Sequence, residues 1–322
     1  MATRQVTEAM LQQLKRDGYM LIPLLSTDEL QVIRSAAERH AELALSDPFG
    51  EKAAVNKMAK LNIRVNPRDG LEYAEHVPRL GLFGCPELQH VLSCGRIQQL
   101  VVSALTNSPF MSSSLTVATA TTTTASTTTA ILDSVSLMVA PKGYRYKQGF
   151  HRDLIAVPDE HIDSILPRLR PGYFHNSCQF NLPLVDDSTF VAVPGSHTRP
   201  YTTEEAERFA HRPLNAAAPI ENTLPGAKVI HIPAGTIMLC NNNLIHKGDC
   251  GSRNGLPRNR LTLHGGFHLS SHPPTVHFQA LAETDSLGPA ARVRADQAGL
   301  SITPEFRRML EERDQRARDH PD

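Results

Sequence analysis

QGFHRD, the stretch Gln148–Asp153, places an imidazole and a carboxylate two residues apart, after the β-prone run Ile131–Val139. Residues i and i+2 of a strand point to the same face, so His151 and Asp153 would present a nitrogen and an oxygen to one point. These are two of the three ligands in the two-histidine, one-carboxylate triad that holds non-haem Fe(II) with coordination positions left open. The stretch therefore predicts a metal-binding pair, and the alternative is the polar end of a strand.

A second His-x-Asp motif, His161–Asp163, lies a short way further along the chain. It follows Pro-Asp-Glu and runs into Ser-Ile-Leu-Pro, a pattern typical of a short surface helix. Positions i and i+2 of a helix do not face each other, so this copy is not expected to bind a metal.

The composition suits one large globular domain with helical additions: 322 residues, 40% hydrophobic, with 33 basic and 33 acidic side chains. Zero formal net charge disfavours bulk electrostatic binding to nucleic acid or an anionic membrane. No apolar run approaches the roughly 20 residues that span a bilayer, and the N-terminal stretch has no signal-peptide core. The five cysteines include no Cys-x-x-Cys pair, so a reducing, cytoplasmic setting is expected rather than a disulfide framework or a zinc site.

The chain up to about residue 110 is expected to be mainly helical. A helix is predicted for Thr7–Asp17, a strand for Tyr19–Leu25 and a helical pattern for Cys85–Leu105. Ser26 and Glu29 have the spacing of a capping box, so a further helix is expected to begin there.

Three other stretches carry simpler patterns. Residues 47–80 are polar with Pro and Gly breaks, which predicts loops and short strands. Ser112–Ala130 is rich in Thr without apolar alternation, which favours a mobile loop or a solvent-facing strand, with a lid over a pocket as the sharper alternative. Thr303, followed by Pro304, is expected to cap a C-terminal helix over about residues 303–317.

After about residue 130 the pattern changes to short strands. Cys178–Leu184 alternates apolar and polar residues, and Thr189–Val193 ends in Pro-Gly-Ser-His. Lys228–Ile232 and Thr236–Leu239 flank a Pro-Ala-Gly turn, and Arg260–Leu269 is a further strand. Many short strands and few long helices predict a mainly β fold with flanking helices, built as an antiparallel barrel or jelly roll.

A third metal ligand is sought among the later histidines. His246 follows the strand that begins at Thr236, and a ligand at a strand end has a short reach to a barrel mouth. His246 is therefore the candidate, and the alternative is an ordinary loop histidine. The other histidines considered are His175, His197, His211, His231, His264 and His268.

A buried carboxylate receptor is predicted on the last strand. Arg260, Thr262 and His264 alternate with leucines, so the polar face would point inward. An inward arginine is costly unless it is paired, and its planar guanidinium suits bidentate capture of a carboxylate. Two alternatives remain: Arg260 pairs with an internal Asp or Glu, or Arg258 is the receptor.

Together these features resemble the phytanoyl-CoA dioxygenase family of Fe(II)/2-oxoglutarate oxygenases. The resemblance covers roughly residues 14–270 and rests on the order and spacing of several motifs. It implies one domain over residues 1–322, with a double-stranded β-helix (jelly-roll) core at about 131–270. The motifs are Arg16–Ser26, His151-x-Asp153, Val193–His197, His246 and the Arg260 strand.

The resemblance also implies the ligands of the site. Fe(II) would be held by His151, Asp153 and His246, and 2-oxoglutarate would chelate the metal and place its far carboxylate on Arg260. Further co-substrate contacts are expected from three residues, although the chain lacks the Asn-Gly or Glu-Asn-Gly turn that the family usually has before the Val-Pro-Gly-Ser-His segment. These contacts are Gln148, Thr189 and Thr262.

The implied reaction uses 2-oxoglutarate and O₂ to oxidise an unactivated C–H bond of a small, largely hydrophobic molecule, in secondary-metabolite biosynthesis. Asp153 favours hydroxylation, desaturation or rearrangement, since related halogenases lack this carboxylate. The alternatives are an acyl-CoA hydroxylase of the same family and a non-catalytic metal-binding jelly-roll protein. The expected partner is a small-molecule substrate, with no nucleic acid or membrane, and a homodimer is left open.

Overall fold

A computed structural model describes residues 6–46, 62–65, 72–75, 84–106, 128–140, 149–152, 177–199, 201–205, 223–249, 259–271, 288–297 and 299–319. Several predicted features lie outside the described residues: Gln148, Asp153, Arg258, the motif His161–Asp163 and most of the Thr-rich run.

The predicted helices and strands that lie within the described residues occur in the expected order, and β9 and α5 are additional elements that the sequence pattern did not indicate. The strands expected after about residue 130 are confirmed. The elements are α1 (Glu8–Asp17), β1 (Tyr19–Pro23), α2 (Thr27–Ser46), β2 (Asn62–Val65), β3 (Glu72–Glu75), α3 (Pro86–Ser93), α4 (Arg96–Thr106), β4 (Ala130–Ala140), β5 (Ser177–Pro183), β6 (Asp187–Ala192), β7 (Lys228–Ile232), β8 (Thr236–Cys240), β9 (His246–Gly248), β10 (Arg260–Leu269), α5 (Pro289–Gln297) and α6 (Pro304–Asp319).

The predicted helix caps are present. Ser26 N donates to Glu29 Oε2 at 2.9 Å, and Glu29 N donates to Ser26 Oγ at 3.3 Å, so the capping box at the start of α2 is confirmed. Thr303 Oγ1 accepts from Phe306 N at 3.3 Å at the start of α6. These caps satisfy backbone N–H groups that a helix leaves without intrahelical partners.

The larger sheet has the strand order β1-β8-β5-β10-β4, and every neighbouring pair is antiparallel. One face of it packs against helices: Phe180 of β5 and Phe267 of β10 lie 5.6 Å apart between ring centroids, in a buried cluster with Leu88 of α3 and Phe306 of α6. This apolar face anchors the helices and leaves the opposite face of the sheet for the interior between the two sheets.

The smaller sheet has the order β7-β6-β9, and His151 extends it through a bridge to His246. From β5 to β10 the chain crosses repeatedly between the two sheets: β5, β8 and β10 lie in the larger sheet, and β6, β7 and β9 lie in the smaller. Phe190, Ile230 and Ile232 of the smaller sheet share a buried cluster with Met238 and Cys240 of the larger. The described residues therefore form antiparallel sheets with flanking helices, as predicted.

The Pro-Gly-Ser-His turn joins the N-terminal segment to the strand that carries His246. Gly18 ends α1 with φ 83°, and a Cβ there would lie 2.6 Å from His197 Nδ1, so only glycine fits this approach. Ser196 Oγ accepts from Ile245 N at 2.9 Å. The turn thus has a structural role beside β9. None of the described helices has the length and apolar character needed to cross a membrane.

Candidate metal and co-substrate site

His151 and His246 are distant in sequence and adjacent in space. Their backbones exchange two hydrogen bonds, from His151 N to His246 O at 2.9 Å and from His246 N to His151 O at 3.0 Å. The imidazole centroids are 4.4 Å apart, with a 50° angle between the ring planes. The sheet register therefore brings together the two histidines that the sequence predicts as metal ligands.

Both imidazoles are held in the form that a metal ligand requires. His151 Nδ1 lies 2.9 Å from Gly149 O, and His246 Nδ1 lies 2.9 Å from Leu244 O. A carbonyl oxygen only accepts, so Nδ1 carries the proton in each neutral ring and Nε2 keeps its lone pair. Metal-binding histidines commonly donate their other ring N–H in this way. The donor set of the histidine pair therefore fits a divalent transition metal.

Phe190 fixes the plane of the His246 ring. The two rings stack at 5.1 Å between centroids with an interplanar angle of 17°. Phe190 lies on β6 opposite Gly248 of β9. Because Gly248 has no side chain, it leaves room for the stacked rings. His246 is 7% exposed, and the stack gives it an apolar wall on one side.

Arg152 ties the His151 segment to the turn before His246. Its side chain is 1% exposed. Nη1 donates to Asn243 O at 2.7 Å and Nη2 donates to Arg199 O at 3.0 Å. The guanidinium also lies over the Tyr201 ring, 4.5 Å from its centroid. Burial lowers the pKa of the Arg152 guanidinium, and the charge interaction with Tyr201 offsets part of this shift.

Glu205 supports the segment that receives Arg152. Arg199 binds its carboxylate through both terminal nitrogens, at 2.7 and 2.8 Å. Thr202 N donates to the same carboxylate at 2.8 Å, as in a capping box. Burial would raise the pKa of Glu205, but the hydrogen bonds from Arg199 and Thr202 hold it below its ordinary value. The carboxylate is therefore a fixed, ionised partner of Arg199.

Arg260 points inward, as predicted, and pairs with an internal carboxylate. Its Nε donates to Asp187 Oδ2 at 2.8 Å, and Thr262 Oγ1 lies 2.8 Å from the same oxygen. The other oxygen, Oδ1, accepts from Thr189 N at 2.7 Å. Arg260 is 7% exposed and Asp187 is 3% exposed. The structure thus places Arg260, Thr262 and Thr189 together around Asp187, which is the internal pairing that the sequence analysis left open.

Asp187 is ionised in this setting. Burial would raise the pKa of its carboxyl, but the charge of Arg260 and the hydrogen bonds with Thr189 and Arg260 hold the pKa below its ordinary value. The pair is therefore a buried cation and anion with no net charge.

Asn181 and His264 lie on the inner face of the larger sheet. His264 Nδ1 is 3.1 Å from Asn181 Oδ1, and Asn181 pairs with Met238 across β8. Met238 shares a cluster with Phe190, which stacks on His246, so Asn181 faces the same interior as the histidine pair. Asn181 is 3% exposed, and its Nδ2 has no hydrogen-bond partner in the described part of the chain. It is a buried donor directed toward that interior.

Among the described residues, no group of three or more His, Cys, Asp and Glu side chains converges on one metal position. The third predicted ligand, Asp153, lies outside these residues. Sequence reasoning did not single out Arg152, Asp187 or Asn181. Three sequence features could have indicated them. Arg152 lies inside the His-x-Asp motif, Asp187 comes just before the predicted strand that contains Thr189, and Asn181 is on the polar face of β5.

No protein-family model matches the chain, and no curated protein sequence does. Among solved structures, AviO1 from Streptomyces viridochromogenes Tue57 is similar, with 18% identity and a TM-score of 0.52 over 85% of this chain and 100% of that one. The non-haem α-ketoglutarate-dependent carbocyclase SnoK from nogalamycin biosynthesis has 14% identity and a TM-score of 0.51, over 83% of this chain and 86% of that one.

The fold is therefore similar to that of SnoK, a non-haem enzyme that depends on α-ketoglutarate. α-Ketoglutarate is another name for 2-oxoglutarate. At these identities the likeness establishes the fold alone. The resemblance to the phytanoyl-CoA dioxygenase family and the assignment of individual ligands stay predictions.

Proposed function

We propose that the protein is a non-haem Fe(II)/2-oxoglutarate-dependent oxygenase of the phytanoyl-CoA dioxygenase type, with a double-stranded β-helix core. The observation that carries the proposal is the histidine pair: His151 and His246 meet with both Nδ1–H groups directed to backbone carbonyls. The repeated crossing of the chain between two facing sheets from β5 to β10 supports the jelly-roll core. The shared fold with SnoK supports the reaction class.

In this proposal His151, Asp153 and His246 hold Fe(II). Iron bound with 2-oxoglutarate and O₂ supplies an oxidant that attacks an unactivated C–H bond, with release of succinate and CO₂. The carbonyls of Gly149 and Leu244 orient the two imidazoles, and Phe190 keeps the His246 ring in plane. The buried interior between the sheets limits the access of water to the ligands.

The proposed substrate is a small, largely hydrophobic molecule of secondary metabolism. The apolar residues between the sheets, including Phe190, Ile230 and Met238, support this class, and SnoK is itself described from nogalamycin biosynthesis. Asn181 Nδ2, which has no hydrogen-bond partner among the described residues, favours a substrate with one hydrogen-bond acceptor. Asp153 in the motif favours hydroxylation, desaturation or rearrangement. An acyl-CoA substrate is the alternative within the family.

The test is succinate formation from 2-oxoglutarate by the purified protein with Fe(II) under air. We expect turnover in the wild type and loss of more than about 100-fold in His151→Ala, Asp153→Ala and His246→Ala. His231→Ala is the matched control, because His231 is exposed on β7 and contacts Ser188. Unchanged turnover in His246→Ala would contradict the proposal. Metal binding without succinate would favour the non-catalytic metal-binding protein.

A further inference from the structure

Asp187 makes the contacts that the proposed function reserves for the co-substrate. A 2-oxoglutarate molecule would place its far carboxylate on Arg260 and Thr262. In the structure both residues donate to one carboxylate oxygen, Asp187 Oδ2, at 2.8 Å each. The internal side chain therefore has the same functional group as the expected ligand and binds two of the donors at this position, Arg260 Nε–H and the Thr262 hydroxyl.

While Asp187 is bound, Thr262 and Arg260 interact less favourably with a second carboxylate. The Thr262 hydroxyl has one proton, so it cannot donate fully to Asp187 and to a ligand at the same time. The charge of Arg260 is already balanced by Asp187, and both side chains are buried. A second carboxylate at this guanidinium would bring two anions together in an environment that screens them weakly.

The backbone around Asp187 is irregular. Asp187 is the first residue of β6, and the register of β6 against β7 shifts between Asp187 and Phe190. Asp186, the residue before it, is exposed and accepts from Ala234 N at 3.0 Å. Two neighbouring aspartates thus have different roles: one holds a turn at the surface, and the other reaches the buried arginine.

We propose that Asp187 competes with the far carboxylate of the co-substrate for Arg260 and Thr262. This inference rests on the proposed function. Asp187 is then a specificity-determining residue: it stabilises the ligand-free protein and weakens the binding of 2-oxoglutarate.

Calorimetric titration of 2-oxoglutarate into the Mn(II)-loaded protein tests the competition. Asp187→Asn should lower the Kd for 2-oxoglutarate by about tenfold, because the charge of Arg260 is no longer balanced internally. It should also lower the Tm without ligand and increase the Tm gain on adding 2-oxoglutarate. Asp186→Asn removes the same charge from the exposed neighbouring residue that accepts from Ala234 N, so its Kd should match the wild type. Equal or weaker binding by Asp187→Asn would overturn the inference.

A second measurement uses the wild type and does not depend on the folding of a variant. 2-Oxoglutaramate replaces the far carboxylate by a carboxamide, which offers an oxygen to Arg260 and an N–H to Asp187. We expect its Kd to lie within about tenfold of that of 2-oxoglutarate, whereas an arginine with uncompensated charge would favour the carboxylate by more than about 100-fold. A preference of that size would overturn the inference.

Failure of the competition and failure of the proposed function give different binding results. Binding of 2-oxoglutarate with equal Kd by wild type and Asp187→Asn overturns the competition alone. Absence of binding by both folded proteins overturns the proposed function and this inference with it.

Discussion

The two ends of the candidate site are built differently. At the metal end, backbone carbonyls of Gly149 and Leu244 fix the imidazoles through Nδ1, so Nε2 is the atom that would bind a metal. At the anchor end, the side chain of Asp187 holds Arg260 and Thr262. A backbone carbonyl orients an imidazole through Nδ1, whereas the Asp187 carboxylate binds the Nε–H of Arg260 and the hydroxyl of Thr262, two donors that a carboxylate ligand would also contact. The comparison predicts a preorganised metal end and an anchor end where the ligand must compete.

The largest expected effect is the loss of Arg260. Arg260→Met leaves the ionised Asp187 buried without its cation, which should lower the free energy of unfolding in urea by about 3–5 kcal/mol. Arg260→Met with Asp187→Leu removes both charges and should recover most of that loss. Arg307→Met, which breaks a partly exposed pair with Asp296, is the control and should cost about 1 kcal/mol or less.

These unfolding measurements test whether an internal charge pair holds the anchor end. If Arg260→Met unfolds at the same urea concentration as the wild type, the anchor is not held by an internal charge pair. If the double variant is no more stable than Arg260→Met, the loss comes from the shape of the arginine rather than from the uncompensated Asp187.

The next effect concerns Arg152, whose removal should loosen the histidine pair. Arg152→Met keeps much of the volume and loses the bonds to Asn243 and Arg199. We expect Co(II) binding, followed by its visible absorption, to weaken by about 10–100-fold, as for other groups that support metal ligands. Arg96→Met, which breaks a pair with Glu29 on the helices, should leave the Co(II) spectrum and Kd unchanged.

Arg152→Lys separates position from charge. Lysine keeps the charge but lacks the fork that reaches two carbonyls, so its Co(II) affinity should fall between those of Arg152→Met and the wild type. A lower Tm for Arg152→Met with an unchanged Co(II) Kd and spectrum would show that Arg152 supports the fold and not the metal end.

The meeting of His151 and His246 was predicted from the sequence, whereas the partner of Arg260 was left open, for a physical reason. His246 was a candidate because it follows the strand that begins at Thr236; the structure ends that strand at Cys240 and places His246 at the start of β9, where the sheet register brings it to His151. The need of Arg260 for a partner followed from burial, but the identity of Asp187 depends on the register shift at the start of β6. Arg152 was missed because its carbonyl partners are 91 and 47 residues away, and no local pattern marks them.

The smallest expected effect is the pH dependence of the anchor end. Arg260 and Thr189 overcome the effect of burial and hold the pKa of Asp187 below its ordinary value. A carboxyl whose pKa is lower in the folded chain stabilises the fold above its unfolded pKa of about 4, and this stabilisation is lost as the pH falls through the folded pKa.

The wild type and Asp187→Asn should therefore differ in the free energy of unfolding by a constant amount between about pH 7 and 5, and the difference should narrow toward about pH 3. Glu29, whose pKa the Ser26 backbone N–H lowers to about 2, loses its contribution equally in both proteins and cancels. Urea unfolding at each pH measures the difference. If the difference in free energy of unfolding widens in acid, protonated Asp187 is the better partner of Arg260 and Thr262. The anchor end would then hold its donors without an internal counter-charge, as the metal end does.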